Sequence, residues 1–299
     1  MSEHTLTNDQ IASIMGGMNV PVQPQIMLNL QMEQAMPDPD LNEIARLISR
    51  DVGISGRVLK AVNSPFFGLR SAITSIQKAV TLLGMNSVIN IVNAIAMRDE
   101  LCNQDNMSED EIRNMNRFWD TAQDVALVST TIAKQIGFIS PDEAYSLGLF
   151  HNAGIPLLLS KRKDYREIMV QSYHGDTRRI IDYENKMLDS NHAVIGFYLA
   201  KSWKLSSPIC DAISQHHNII ELFSQGTQKG SEMLNLLAVL KMAEHIVGLY
   251  KLLGDQEADH EWNESRDLIF QYLSITEEDY ADIQSVCHNL GIGMNDELI

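Results

Sequence analysis

Helix-start signals recur along the whole chain, and they constrain the fold more than any other feature. Thr7-x-x-Gln10, Asp40-x-x-Glu43, Thr74-x-x-Gln77, Ser108-x-x-Glu111 and Ser140-x-x-Glu143 each place a capping side chain three residues before an acid or amide. The first side chain of such a pair accepts from a free backbone N–H of the opening turn, and the second reaches back to the first residue. Ser140 and Ser207 are each followed by proline, whose fixed φ suits the first helical position. Apolar residues then follow at helical spacing: Leu41, Ile44, Ala45, Leu47 and Ile48 share one face, as do Leu127, Thr131, Ile132 and Ile136. There is no strict alternation and no Asn-Gly turn. With 17 glycines and 8 prolines in 299 residues, little material remains for the turns that many short strands need. The chain is therefore expected to be all-α.

The pattern predicts helices over 7–16, 22–35, 40–50, 54–62, 74–82, 86–102, 109–136, 141–152, 155–160, 162–173, 176–188, 191–202, 207–217, 231–253, 264–273 and 276–290. A chain this long is near the upper limit for one core, so two packed lobes are expected. Two polar stretches, Asn103 to Ser108 and the acidic Gly254 to Glu264, read as joints. They divide the chain into an N-terminal helix (1–19), a first lobe (20–105), a second lobe (106–253) and a C-terminal segment (254–299). Residues Ser75 to Val88 read helix, glycine turn, helix, but the second helix has no Lys or Arg before Arg98, so core packing is expected there rather than DNA reading.

Net charge is −16 with a pI near 4.9, which repels phosphate backbones and argues against a nucleic-acid partner. The one dense basic run, Lys161 to Arg166, is interrupted by Asp164 and reads as a solvated loop or helix start. Cys102, Cys210 and Cys287 are odd in number, widely spaced and outside any CxxC, as in a reducing cytoplasm. The opening MSEHTLTNDQ carries no apolar core of a signal peptide, and no run of about 18 apolar residues exists. A cytoplasmic protein without a membrane partner is expected. The 15 methionines are scattered and read as fillers of irregular helical cores.

Six of the nine histidines lie between 151 and 245. His151 ends an apolar helix just before Gly154, read as its C-cap; His192 opens a helix after Asn191; His216 and His217 end PICDAISQHH. Histidines at helix ends can converge on one cavity, and imidazole is the commonest transition-metal ligand. The competing reading is that each bonds the free carbonyls of a last turn and gains from the helix dipole.

The chain resembles the HDOD (HD-related output domain) family of bacterial signalling proteins over roughly residues 20 to 250. The first part of the likeness is VPVQPQIMLNL, DPDLNEIARLISRDVGISGRVLKAVNSPFFG, with its Asn63-Ser64-Pro65 turn, and ITSIQKAVTLLGMNSVINIV. The second part is YSLGLFHNAGIPLLL and SNHAVIGFYLAKSWKLSSPICDAISQHHN. The resemblance implies an HD-like helical fold related to metal-dependent phosphohydrolases. It places the His of the His-Asp pair at His151 and its Asp at Asn152, the later single His at His192, the His-His pair at His216 and His217, and the final Asp at Glu244. The family's first His falls at Thr121, a lysine that often follows the His-Asp pair falls at Ile155, and Trp119 and Trp203 fall on tryptophans that read as core anchors.

Asn152 offers a neutral carbonyl where a bridging carboxylate is needed, and Thr121 cannot replace imidazole. Two metal ions about 3.5–4 Å apart require anionic ligands between them, so a binuclear centre is not expected. His151, His192, His216 and His217 with Glu244 remain as a candidate mononuclear site for Fe, Mn or Zn. These departures imply a non-catalytic signalling module that binds a small ligand or a signalling protein. The alternative is a metal-dependent phosphohydrolase, acting on phosphomonoesters or phosphodiesters, with an altered site.

Overall fold

The computed structural model describes residues 22–64, 67, 69, 71–102, 109–175, 179–224 and 230–290. The expected helix over 7–16, the joint at 103–108, Pro65 and the caps Thr7 and Ser108 lie outside the described residues. Among the described residues every regular element is a helix, so the fold is all-α. The first lobe comprises α1 (Gln25–Gln34), α2 (Leu41–Ser49), α3 (Val52–Val62), α4 (Ile76–Leu83) and α5 (Met85–Cys102). The second holds α6 (Glu109–Ile136), α7 (Pro141–Phe150), α8 (Gly154–Lys161), α9 (Tyr165–Ser172), α10 (Ile180–Leu188), α11 (His192–Ser202) and α12 (Ser207–Gln215). It continues through α13 (Ile219–Ser224), α14 (Glu232–Val247), α15 (Leu249–Leu252), α16 (His260–Leu273) and α17 (Glu277–Asn289).

Two apolar cores define the lobes. Leu30, Ile44, Ile48, Val58, Val62, Val80, Ile89 and Val92 bury together in the first, so the glycine-turn helix pair around Gly84 is core packing. The larger core draws on α6 to α17 together with Met27 of α1 and Ala96 and Met97 of α5, and includes Trp119, Trp203 and Ile155. Trp203 also ties the lobes: its carbonyl accepts from Gln23 Nε2 at 3.0 Å and from Gln31 Nε2 at 3.1 Å. The Asn63 side chain acts as a short strand partner. Its Oδ1 accepts from Ile73 N at 2.7 Å and its Nδ2 donates to Ile73 O at 2.8 Å, which pins the connection between α3 and α4. Ser64 follows it in the same turn.

Several expected boundaries move for local reasons. Ser140 caps α7 as expected, accepting from Glu143 N. Ser75 rather than Thr74 caps α4, accepting from Lys78 N at 3.3 Å. Asp40 caps α2 through Asn42 N, while Glu43 turns to Arg46 instead of closing a box. Ser206, not Ser207, stands at the cap of α12. The helix expected over 231–253 breaks at Gly248, whose φ of 78° falls in the left-handed region that favours glycine. The helix expected over 207–217 stops at Gln215, and α13 follows where none was expected. The acidic joint is shorter than expected, because Asp259 caps α16 through Trp262 N and starts it at His260. Trp262, Phe270, Tyr280 and Cys287 of the last two helices belong to the larger core.

Candidate metal centre

Three helix ends bring the histidines together. His192 is the first residue of α11, set by Asn191, whose side chain accepts from Val194 N at 2.9 Å. His216 is the C-cap of α12 and His217 follows it in the turn before α13. His151 is the C-cap of α7. All four are buried.

Gly154 is not the C-cap of α7. It opens α8, and its missing side chain permits a close approach: a Cβ there would lie 2.1 Å from the His192 carbonyl oxygen. Gly154→Ala is therefore expected to cost about 1–3 kcal/mol through overpacking and to displace His192, measurable by urea denaturation.

Each imidazole has one nitrogen committed. His192 Nδ1 donates to Glu184 Oε2 at 2.7 Å, and Glu184 also accepts from His192 N and from the Tyr165 hydroxyl. His217 Nδ1 donates to Glu261 Oε1 at 3.0 Å. His216 Nδ1 donates to the Ile213 carbonyl at 2.6 Å and His151 Nδ1 to that of Gly148 at 2.7 Å. The proton is thereby held on Nδ1 in every ring, and every Nε2 presents a lone pair.

The three Nε2 atoms of His192, His216 and His217 converge. His192 Nε2 lies 3.3 Å from that of His216 and 3.1 Å from that of His217. Lone pairs at that spacing repel unless a cation lies among them. Two imidazoles on a tetrahedral ion, at metal–nitrogen distances of about 2.0–2.1 Å, hold their nitrogens about 3.3–3.4 Å apart. Carboxylates behind two of the rings are the partners that fix the tautomer of a metal-ligating histidine. The residues present therefore fit one divalent transition-metal ion on this triad.

His151 and Glu244 stand beside the triad rather than in it. His151 Nε2 lies 3.4 Å from Glu244 Oε1 without forming a hydrogen bond. These two atoms and Asn152 Oδ1 are buried acceptors with no hydrogen-bond partner among the described residues. The other oxygen of Glu244 meets Lys241 Nζ at 2.7 Å, and Lys241 meets Glu261 Oε2 at the same distance. Burial works against the Lys241 ammonium, but the two carboxylates outweigh it and raise its pKa. The site thus carries an internal cation between two acids.

Thr121 does not reach the triad. Its hydroxyl donates to the Arg117 carbonyl of its own helix at 2.7 Å. The crevice it shares with His151 and Asn152 has no volume that a water could occupy. A cavity of about 330 Å³, apart from that crevice, is lined by His217. Its wall carries Asp182, Glu221, Asp259, Glu261 and Glu264 against Arg179, which is itself bonded to Asp182.

Sequence reading missed Glu184, Lys241 and Glu261. Lys241 had a legible signal, a lone charge in the apolar run LLAVLKMAEHIV one turn before Glu244. Glu261 stood inside the segment read as a joint, and Glu184 looked like any exposed acid of an amphipathic helix. His245, next to Glu244, is satisfied by Asp259 at 2.9 Å and stacks on Trp262.

Burial holds His151 down to about 3 and keeps His216 and His217 well below 6.5. An unfolded histidine binds its proton near pH 6.5, so each of these residues withdraws about 1.4 kcal/mol of stability per pH unit below that value. The contribution is present at neutral pH and lost as pH falls. In chelator-treated protein, the stability of the wild type relative to His151→Asn should accordingly fall by about 1 kcal/mol per pH unit between pH 6 and 5. Burial pushes the Glu244 carboxyl up to about 7, which acts in the opposite direction, but in both proteins. A pH-independent difference in urea midpoints would contradict the assignment.

Residues 20–219 match the HDOD domain. The chain belongs to the HDOD family. An uncharacterized protein of Treponema pallidum (strain Nichols) is 30% identical over 209 residues; the match spans 67% of this chain and 38% of that protein's length. The crystal structure of an HDOD domain protein of unknown function from Geobacter sulfurreducens superposes with a TM-score of 0.69 at 23% identity, covering 93% of this chain and 96% of its own. A Shewanella amazonensis SB2B protein, provisionally named a metal-dependent phosphohydrolase, superposes with a TM-score of 0.64 at 19% identity, covering 93% and 96%. These likenesses show the fold. Among the described residues no helix is long and apolar enough to cross a membrane.

Proposed function

We propose that this HDOD chain is a non-catalytic regulatory module, acting by binding a ligand or a signalling protein, with one Fe, Mn or Zn ion in its histidine triad as a structural element. The observation that carries the reading is the narrow crevice at Thr121, His151 and Asn152, which leaves no room for a water beside the positions where the HDOD likeness expects an imidazole and an acid. The Lys241 ammonium between Glu244 and Glu261 supports it, since a fixed cation there disfavours a second metal ion. The acidic cavity wall at His217 supports it further, because negative charge there disfavours phosphoesters.

The test is turnover of p-nitrophenyl phosphate and bis-p-nitrophenyl phosphate by protein loaded with Fe, Mn or Zn. No rate above buffer is expected. Hydrolysis that disappears in His217→Ala would overturn the reading in favour of a phosphohydrolase.

A further inference from the structure

A groove of about 400 Å³ lies where α4 of the first lobe meets α6 and the end of α17. Phe67, Leu82, Leu83 and Leu290 give it an apolar side, and Lys134 stands among the polar residues that α6 contributes. It shares no lining residue with the cavity at His217. Leu82 is 64% exposed, so this apolar side faces solvent. Lys134 is exposed and has no ion-pair partner among the described residues, in a chain whose net charge is −16.

The chain itself leaves the described structure at this groove. Leu290 is the C-cap of α17, and residues 291–299 follow it directly. They read Gly-Ile-Gly-Met-Asn-Asp-Glu-Leu-Ile, and the glycines at 291 and 293 disfavour a continued helix. Side chains alternate along extended backbone, so Ile292, Met294, Asp296 and Leu298 share one face. That face offers three apolar side chains and one acid. The groove offers leucines, a phenylalanine and one unpaired lysine. Nine extended residues reach about 30 Å, which is ample for a groove of this volume. Residues 1–21 join the described structure at Val22, which does not line the groove.

We propose that residues 291–299 dock in this groove as an extended strap, with Ile292 and Met294 on its apolar side and Asp296 facing Lys134. The occupant is this chain's own segment rather than a separate molecule because it is tethered at the groove's edge. A short tether holds it there at an effective concentration on the order of mM, so a contact too weak to form between separate molecules is still occupied. The strap ties α4 of the first lobe to α6 and α17, and it can open without unfolding either core. The inference stands independently of the metal centre and of the regulatory reading.

The experiment is amide hydrogen exchange of the full chain, read by mass spectrometry over residues 291–299. These amides should exchange at least about tenfold more slowly than in a free peptide of the same sequence, at every protein concentration tried. Leu82→Asp should return them to the free-peptide rate, since it puts a charge on the apolar side. Lys134→Glu should reduce the protection by about two- to fivefold, and adding Asp296→Lys to it should restore the protection. If Leu82→Asp also lowers the melting temperature, the Lys134 and Asp296 exchange decides, because both changes replace one charged side chain by another. Free-peptide exchange in the wild type would overturn the proposal, as would protection indifferent to both Leu82→Asp and Lys134→Glu. Protection that grows with protein concentration would overturn it in favour of a second copy as the occupant.

Discussion

Lys241→Met is expected to destabilise the protein by about 3–5 kcal/mol, the cost of leaving a buried charge without its partner. The side chain is 3% exposed, and its ammonium lies 2.7 Å from both Glu244 and Glu261. Methionine keeps most of the stem volume, so the loss reports the charge rather than a void. Without the ammonium, Glu261 is left as an unpaired carboxylate and Glu244, already pushed up to about 7 by burial, is driven to take up a proton. One also holds His217, and the other abuts His151. The consequence is structural as well as energetic, because Glu261 is on α16 and Lys241 on α14, so this bond joins the C-terminal helices to the histidine centre. Adding Glu261→Gln to Lys241→Met should recover part of the loss by removing one unpaired charge. Urea denaturation of the three proteins is the measurement; a loss below about 1 kcal/mol for the single variant would show that the triad contributes little.

The second large effect is expected from metal removal. Purified without a histidine tag, the protein should carry about one equivalent of Fe, Mn or Zn by elemental mass spectrometry, and His216→Ala/His217→Ala should carry none. A ligand that binds only the folded state at about 1,000 times its Kd adds about 4 kcal/mol of stability. For a chain of this size that corresponds to a melting temperature about 6–7 °C lower after chelation, restored by the same metal. The effect is large because the alternative leaves the His192 lone pair facing those of His216 and His217 at 3.3 and 3.1 Å with no charge among them. Metal-free protein that melts at the same temperature as the purified sample would remove the metal from the reading and leave the histidines as a satisfied buried cluster.

Much of this architecture was legible one helix at a time. The cap at Ser140, the start of α11 after Asn191 and the long apolar-faced α6 follow from rules that act within a few residues, and such rules survive folding unchanged. Boundaries failed where a tertiary demand overrode a local one. Gly154 looked like a helix stop, but it is needed where α8 meets the backbone of His192. The stretch before Glu264 looked like a solvated joint because its acids are dense, yet one of them, Glu261, turns inward to a histidine 44 residues away in sequence. Nothing within a few residues of Glu261 distinguishes it from Glu257 or Glu264.

The sequence by itself determined that this chain is helical and that its histidines stand at helix ends, because both are properties of residue type and short spacing; only its likeness to the HDOD family marks Asn152 and Thr121 as places where an acid and an imidazole are expected. Tertiary structure alone decided which three imidazoles converge, which nitrogen of each is free, and that Lys241 rather than a bridging acid sits between Glu244 and Glu261. Those outcomes depend on hydrogen bonds between helices that the chain brings together only on folding, and a buried charge or lone pair acquires its meaning from whatever stands within about 4 Å of it.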